Sequence, residues 1–522
     1  MRASLGRNSS IIWYLLLIVV LAMSMLPQFY LFSHITDDAY ISFRYADRLA
    51  HGKGLTFNPG EKVEGFSNPL WTLIISVLVY LTSLPTFEIA KFLGILCSML
   101  TFICVWKIFR QSQSDFESSI ANFGLFSVML LVNPGFHVYM TAGLEGPLLM
   151  FLLTAGVSLS LAKKSSHNYV SAIVFGLVSI TRPEGLLYAL LWFVFTFRKI
   201  NTKSTLGQEL LRLLMIFLPW VFYQSFRMLY FNDFLPNTFT AKPPGAFGGD
   251  KFGIGYLLPW LGALGGFVTI GLISILKINH SKQDKAIFKS CAGLIITSII
   301  FVVYARGDWM PFGRFTTPIW PIVCLCLITW IQSVLEKLNE YSLIRLPGIA
   351  KVIIAIGIIF SSILVWTIPI IQYGGNHDIN MLMRGHDQAK VGKWLTENVR
   401  EGTTVATFRL GGISYFAPKM IFWDLYGLTD KEEAKFISRG RPGGNENDPV
   451  LKRVPKILAL VSVSYSPSGG EGEEKKMRKW VDKHYSFIKA FPQGNWGTFD
   501  IWILKGTTDI MINGSLIPSE GQ

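Results

Sequence analysis

Long apolar runs alternate with short polar connectors over the first 373 residues, and the pattern then changes. The runs lie at about 11–32, 70–84, 87–109, 120–132, 144–161, 170–180, 186–197, 210–230, 255–276, 291–304, 315–334 and 352–373. A bilayer crossing takes roughly 20 apolar residues, so several of these are short for a full span. After Gly374 no run reaches that length. Short β-rich stretches (Thr403–Phe408, Ile457–Val463, Thr498–Leu504) alternate there with helical patterns (His386–Val399, Glu473–Tyr485). Glycine-rich turns mark loops at 442–445 and 467–470. The pattern predicts an α-helical polytopic membrane protein with about 11–12 transmembrane segments in residues 1–373. An α/β domain is expected in residues 374–522. No internal repeat of fixed period is evident.

Composition strengthens the membrane reading. Of 522 residues, 51% are hydrophobic and 16% charged, against about 25% charged in a soluble domain. The formal charge of +14 would suit a nucleic-acid binder only if it gathered into a basic patch with interleaved aromatics, and it does not. It falls in short connectors such as Arg198-Lys199, Lys203, Lys277, Lys282, Lys285, Lys289 and Lys337, which places those loops on the cytoplasmic side. Nucleic acid is therefore not an expected partner. The five cysteines (Cys97, Cys104, Cys291, Cys324, Cys326) all lie in apolar runs and read as small buried hydrophobes, which excludes a disulfide framework outside the membrane.

Sidedness follows from the same charges. Met1 to Ser10 carries Arg2 and Arg7 and no acid, and the run after it is too long for a cleaved signal peptide. An uncleaved first helix puts the N-terminus inside and residues 34–68 outside. A basic connector at Lys337–Lys351 puts residues beyond Gly374 outside as well. The two assignments differ by one crossing between residues 69 and 110, where one short segment is re-entrant or merged with its neighbour.

Polar residues cluster at the outer ends of these runs. Asp37 and Asp38 follow the first apolar run directly, at a depth where an unpaired carboxylate costs several kcal/mol. Thr36 or Asp37 can cap a helix over Ala39–Ala50, ended by Gly52 and Gly54. Its Ile41, Tyr45 and Leu49 share one face and Arg44 and Arg48 another. This predicts a helix lying in the interface plane, basic side toward phosphate headgroups. Residues 54–69 are rich in Gly, Pro and Asn and read as an irregular loop. Further clusters hold Glu145, then Arg182 and Glu184 around Pro183, then Lys242, and finally Asp308 with Arg314. Carboxylates facing cations at one depth suit transfer from a lipid phosphate: an acid removes the acceptor's proton and cations neutralise the departing phosphate.

Four stretches in fixed order carry a resemblance: DDAYISFRYADRLAHGKGLTFNPGEKVEGFSNPLWT, TRPEG, LPNTFTAKP and GDWMPFGRF, with DLYGLTD at 424–430 extending it. Together they resemble membrane glycosyltransferases of the GT-C fold, near the mycobacterial terminal arabinofuranosyltransferase and related bacterial polyprenyl-phosphate-sugar-dependent transferases, some tied to lipopolysaccharide or flagellar-motor phenotypes. The resemblance covers about Ser10 to Pro318. It implies a polyprenyl-phosphate sugar donor, a cell-envelope glycan or glycolipid acceptor, inversion at the anomeric carbon, and an essential aspartate in the first outer loop. It also implies the bacterial inner membrane, with the C-terminal domain outside and helping to bind the acceptor.

Each candidate has a plainer alternative. Asp37 and Asp38 diverge by about 100° on a helix, so only one can address a given proton; Asp38 is preferred as base, the other serving as a cap, a ligand to a metal or a hold on a sugar hydroxyl. Glu145 and Glu184 would also serve as helix-start acids. Arg182 could snorkel, and Asp308 with Arg314 could be a structural ion pair. Arg44 and Lys242 are donor-phosphate candidates. Trp309 and Trp423 fit an aromatic belt or a sugar platform. No spacing motif demands a metal, although Asp37, Asp38 and Glu145 would suit an oxygen-liking divalent cation. The rival readings are a transporter or flippase of a lipid-linked saccharide, and a non-catalytic envelope or motility factor on the same fold.

Overall fold

The computed structural model describes residues 35–112, 116–131, 133–162, 165–197, 202–242, 256–257, 282–308, 310, 312–340, 384–439, 447–461, 471–492, 497–507, 511–512 and 515–516. The apolar runs at 11–32 and 352–373, nearly all of 255–276, the basic connectors at 198–199 and 341–351, Lys277, Trp309, and the loops at 442–445 and 467–470 lie outside the described residues. The helical part runs α1 (Asp37–Ala50), α2 (Pro69–Thr82), α3 (Thr86–Ser112), α4 (Phe116–Leu131), α5 (Pro134–Thr141), α6 (Gly146–Ser160), α7 (Ser165–Val178), α8 (Gly185–Thr196), α9 (Lys203–Phe231), α10 (Asn237–Ala241), α11 (Lys282–Ala305) and α12 (Trp320–Glu340). After it come α13 (Arg384–Asn398), β1 (Thr404–Thr407), α14 (Gly411–Phe416), β2 (Ile421–Asp424), α15 (Lys431–Ser438), α16 (Pro449–Lys452), β3 (Ile457–Val461), α17 (Glu471–His484), β4 (Tyr485–Pro492) and β5 (Thr498–Leu504).

The chain divides into two compact units. One comprises Met1–Ser33, Lys91–Tyr223 and Phe247–Asp378; the other comprises His34–Ala90, Gln224–Ala246 and Ile379–Gln522. Residues 34–90 and the residues around Lys242 therefore cluster with the C-terminal domain.

The first unit is helical. Among the described residues, Thr86–Ser112, Thr205–Phe231 and Asp284–Ala305 are long and apolar enough to cross a membrane. Gly146–Ser160, Gly185–Thr196 and Thr317–Ser333, and Pro69–Thr82 of the second unit, are apolar but shorter, as the run lengths predict. The breaks have local causes. Pro134 lacks an amide hydrogen and starts α5, and the Asn133 side chain caps it by accepting from the Gly135 amide at 2.9 Å. Leu214, Leu218, Val221 and Phe222 stand exposed along α9, which suits a helix facing hydrocarbon.

The second unit is built on a five-stranded sheet of order β2-β1-β3-β5-β4. Strands β2, β1 and β3 run parallel, and β5 pairs antiparallel with both β3 and β4. Side chains alternate across it with the period of two that strands impose. Val405, Ile457 and Ile501 face one core with α1, Leu55, Phe57 and Phe66. Ala406, Leu458 and Trp502 face the other with α17. Strands β1, β3 and β5 lie where the alternation predicts them; β2 and β4 were not expected, because each is short or edge-like and lacks a clear alternating run.

Helix α1 is not an interfacial helix with its basic side toward headgroups. A continuous stretch from Ala39 to Ala46 is buried, since the helix packs on the sheet core on one side and on α14 on another. Arg44 is 3% exposed. Its guanidinium donates to the carbonyls of Ser414, Phe57 (3.0 Å) and Met420 (3.0 Å) and lies between the Phe57 and Phe422 rings. The carbonyls at the end of a short helix lack intrahelical partners, and Arg44 supplies donors for them. The Arg44 guanidinium, expected on a donor phosphate, is instead engaged by backbone carbonyls inside the fold.

The family-like stretches also become clamps. Asn237 donates from Nδ2 to the carbonyls of Gly427 (2.7 Å) and Leu428 (2.9 Å), while its own amide donates to Glu64. Glu64 in turn accepts from Arg227 at 2.5 Å. Asp424 accepts from the amides of Tyr426 and Thr429 at 2.9 and 3.0 Å, closing a turn in which Gly427 has φ +71°. Burial pushes the Asp424 carboxyl up from 3.8 to about 6 despite these bonds. The folded chain thus holds a proton between about pH 4 and 6 that the unfolded chain has released, so this group's stabilising contribution is present below pH 4 and lost as pH rises through 6. Two pKa units correspond to about 3 kcal/mol. The stability advantage of wild type over Asp424→Asn, measured by denaturant unfolding, should shrink by about that amount from pH 4 to pH 7; a pH-independent gap would contradict this.

Candidate active site

The candidate residues fall into two groups, one in each unit. In the second unit, α1 begins at Asp37, and Thr36 occupies the cap position without a side-chain cap bond. The Asp37 carboxylate turns to the C-terminal domain: its Oδ1 accepts the Gly412 amide at 2.7 Å, and the Gln388 side chain hydrogen-bonds it as well. Gln388 is buried and its Oε1 also accepts from Gly412 at 3.2 Å. Asp38 points elsewhere, as the 100° step between helix neighbours requires. It pairs with Lys242 at 3.7 Å, with side-chain exposures of 23% and 32%. Lys242 ends the short helix α10.

The electrostatics of Asp37 follow from this enclosure. Its surface is partly accessible, but loss of solvation raises the carboxyl from 3.8 to about 6. The neighbouring Asp38 charge raises it further, while the Gly412 and Gln388 bonds and the Arg409 charge oppose the rise. Such a carboxylate is a stronger base than an ordinary aspartate and still ionised at neutral pH.

In the helical unit, Glu145 and Glu184 occupy the cap positions of α6 and α8, and neither makes a side-chain cap bond. Both reach instead to Arg182: Nη1 to Glu145 and Nε to Glu184, each at 2.5 Å. All three are buried, and the Arg182 guanidinium lies 5.2 Å from the Phe315 ring centre. Arg182 therefore does not snorkel. Asp308 pairs with Arg314 at 2.6 Å. A cavity in this unit is lined by Glu145, Arg182 and Arg314 on its polar side and by Phe136, Met140 and Met150 on its apolar side. With two guanidinium groups to three carboxylates, these five residues carry no surplus positive charge. Among the described residues, no three His, Cys, Asp or Glu side chains gather as a metal-binding group.

Sequence reasoning missed Gln388, Arg409 and the Gly411-Gly412 pair. The glycines offered a signal, because adjacent glycines before an apolar run mark a close backbone approach. At Gly411 an added Cβ would collide with Asp37 Oδ1 and, more closely still, with its carbonyl oxygen. Gln388 and Arg409 sit in ordinary amphipathic surroundings and gave none.

A family described as a domain of unknown function (DUF8728) matches residues 378–509. The chain is 26% identical over 237 residues to the terminal beta-(1->2)-arabinofuranosyltransferase of Mycobacterium tuberculosis, covering 43% of this chain and 36% of that one. It is 28% identical over 235 residues to the enzyme of the same name from Corynebacterium glutamicum, covering 40% and 33%. The match thus spans about a third of the length of these curated relatives. Among solved structures, ArnT from Cupriavidus metallidurans bound to undecaprenyl phosphate superposes with a TM-score of 0.57 at 13% identity, over 93% of this chain and 97% of that one. The Archaeoglobus fulgidus oligosaccharyltransferase gives 0.54 at 13% identity, over 93% and 74%. The mycobacterial arabinofuranosyltransferase AftD gives 0.52 at 14% identity, over 94% and 40%. The chain therefore has the GT-C fold of these membrane glycosyltransferases, and its curated relatives are terminal arabinofuranosyltransferases.

Proposed function

We propose that this protein is an inverting glycosyltransferase that moves a sugar, arabinofuranose or another pentose or hexose, from a polyprenyl phosphate to an envelope glycan or glycolipid. The reaction takes place on the outer face of the bacterial inner membrane, with the N-terminus inside and the C-terminal domain outside. Asp37, rather than Asp38, is the general base. The observation that carries this assignment is the Asp37 carboxylate itself, oriented by two donors and lifted to about pKa 6 beside the Asp38–Lys242 pair. A base works best when it is held in place and its pKa lies near the working pH.

In the transfer, the acceptor hydroxyl gives its proton to Asp37 as its oxygen bonds the anomeric carbon. The bond from that carbon to the phosphate oxygen breaks, its electron pair leaves with the polyprenyl phosphate, and a single displacement inverts the centre. Lys242 offsets charge on the departing phosphate, and Asp38 holds Lys242 in place. In the helical unit, taken by itself, Glu145, Glu184 and Asp308 fix the guanidinium groups of Arg182 and Arg314, which are separate phosphate candidates.

Purified protein given radiolabelled undecaprenyl-phosphate-linked arabinofuranose and an arabinofuranosyl oligosaccharide should elongate the acceptor. Asp37→Asn should lower kcat by about 10³-fold, within the range for losing a general base. Full activity in Asp37→Asn would remove the mechanism, and movement of the lipid-linked sugar across vesicles without transfer would favour a flippase.

The pH profile separates the two aspartates. kcat/KM should rise with pH through about 6 as Asp37 loses its proton. Asp38→Asn removes the neighbouring charge and should move that limb to lower pH; a limb that stays put would count against Asp37. Lys242→Met removes a charge-assisted contact worth about 1.5–3 kcal/mol, so kcat/KM should fall roughly 10- to 150-fold. An unchanged value would exclude Lys242 from the phosphate.

A further inference from the structure

The C-terminal domain presents a βα turn to the first outer loop, and the contact has three parts. Strand β1 ends at Thr407, and the chain passes through Arg409 into α14 at Gly411. The Gly412 amide donates to Asp37 Oδ1 at 2.7 Å. The Gln388 side chain, from α13, bonds both Asp37 and that same amide. Gly411 touches the Asp37 backbone so closely that any side chain there would meet its carbonyl oxygen and Oδ1. Two turns along the same helix, Arg44 binds the carbonyls of Ser414, Ala417 and Met420, so α1 is held at its first turn and at its middle by α14 and the residues just after it.

We infer that Gln388 and the Gly411-Gly412 turn are positioning residues for Asp37, which makes orientation of the catalytic carboxylate a function of the C-terminal domain that matches a family of unknown function. The inference rests on Asp37 being the base. A carboxylate on the first turn of a helix can swing between rotamers, and donors from α13 and α14 fix one of them. Misplacing a reacting group by about 1 Å costs on the order of 10²-fold in rate. The same contact sets the charge state. The groups facing Asp37 are Asp38 and Tyr40 from its own helix, Gln388 from α13, and Arg409 from the turn; the amide bonds and the Arg409 charge favour its ionised form.

The first test needs no substrate. In hydrogen exchange followed by mass spectrometry, the segment spanning Gly412 should be protected in the full-length protein. It should exchange at least tenfold faster in Asp37→Ala, with segments in β3 and β5 unchanged. Exchange at the wild-type rate would overturn the contact. The second uses the transfer assay. Gln388→Leu should lower kcat about tenfold or more with little change in donor KM, and shift the acid limb of the pH profile upward. Arg409→Gln should shift that limb in the same direction, which keeps the test usable if Gln388→Leu does not fold. Gly411→Ala, which pushes α1 aside, should lower kcat by about 10²-fold. Wild-type kcat and pH profile in Gln388→Leu, Arg409→Gln and Gly411→Ala, with Asp37→Asn inactive, would sink this inference and leave the catalytic reading standing. Activity in Asp37→Asn would sink the catalytic reading first.

Discussion

One half-buried hydrogen-bond arrangement links α1 to the C-terminal domain: the Asp37 carboxylate on the Gly412 amide and the Gln388 side chain. A carboxylate taken out of water must be paired, hydrogen-bonded or protonated. Here the bonds oppose a loss of solvation that is larger than they are, so the group stays bonded yet more basic than usual. Its neighbour Asp38, turned by a third of a revolution, instead meets Lys242. Two adjacent aspartates thus acquire different chemistry from a single helical step.

Around that point the second unit is assembled from three separated chain segments. Arg44 serves the carbonyls of α14, Asn237 serves the turn after Asp424, and Asn58 bonds both the amide and the carbonyl of Phe422. These are polar side chains spent on backbone groups that regular structure leaves unpaired. Removing any one would strand a buried donor or acceptor, which costs about 1–3 kcal/mol. The clamp therefore stabilises the fold and fixes where Asp37 can stand.

Much of this was legible in the sequence, and the exceptions have physical reasons. Helix α1, its ending at Gly52 and Gly54, and strands β1, β3 and β5 follow from periodicity and glycine placement. The side of α1 that Arg44 occupies did not, because a basic residue on an amphipathic helix looks alike whether it meets headgroups or carbonyls 370 residues away. Glu145 and Glu184 stand at helix starts, as expected for capping acids, yet their side chains go to Arg182, a partner that sequence spacing left open for Glu145. The partners of Asp37 arise from a domain whose turn has only two adjacent glycines to mark it.

Whether the C-terminal domain holds Asp37 as a poised base is tested most simply by titrating that carboxyl. With aspartate labelled by carbon-13 at the carboxyl carbon, the resonance that disappears in Asp37→Asn identifies the group. The midpoint should lie near pH 6 and move upward in Gln388→Leu. A midpoint near that of an ordinary aspartate, unmoved by Gln388→Leu, would contradict it.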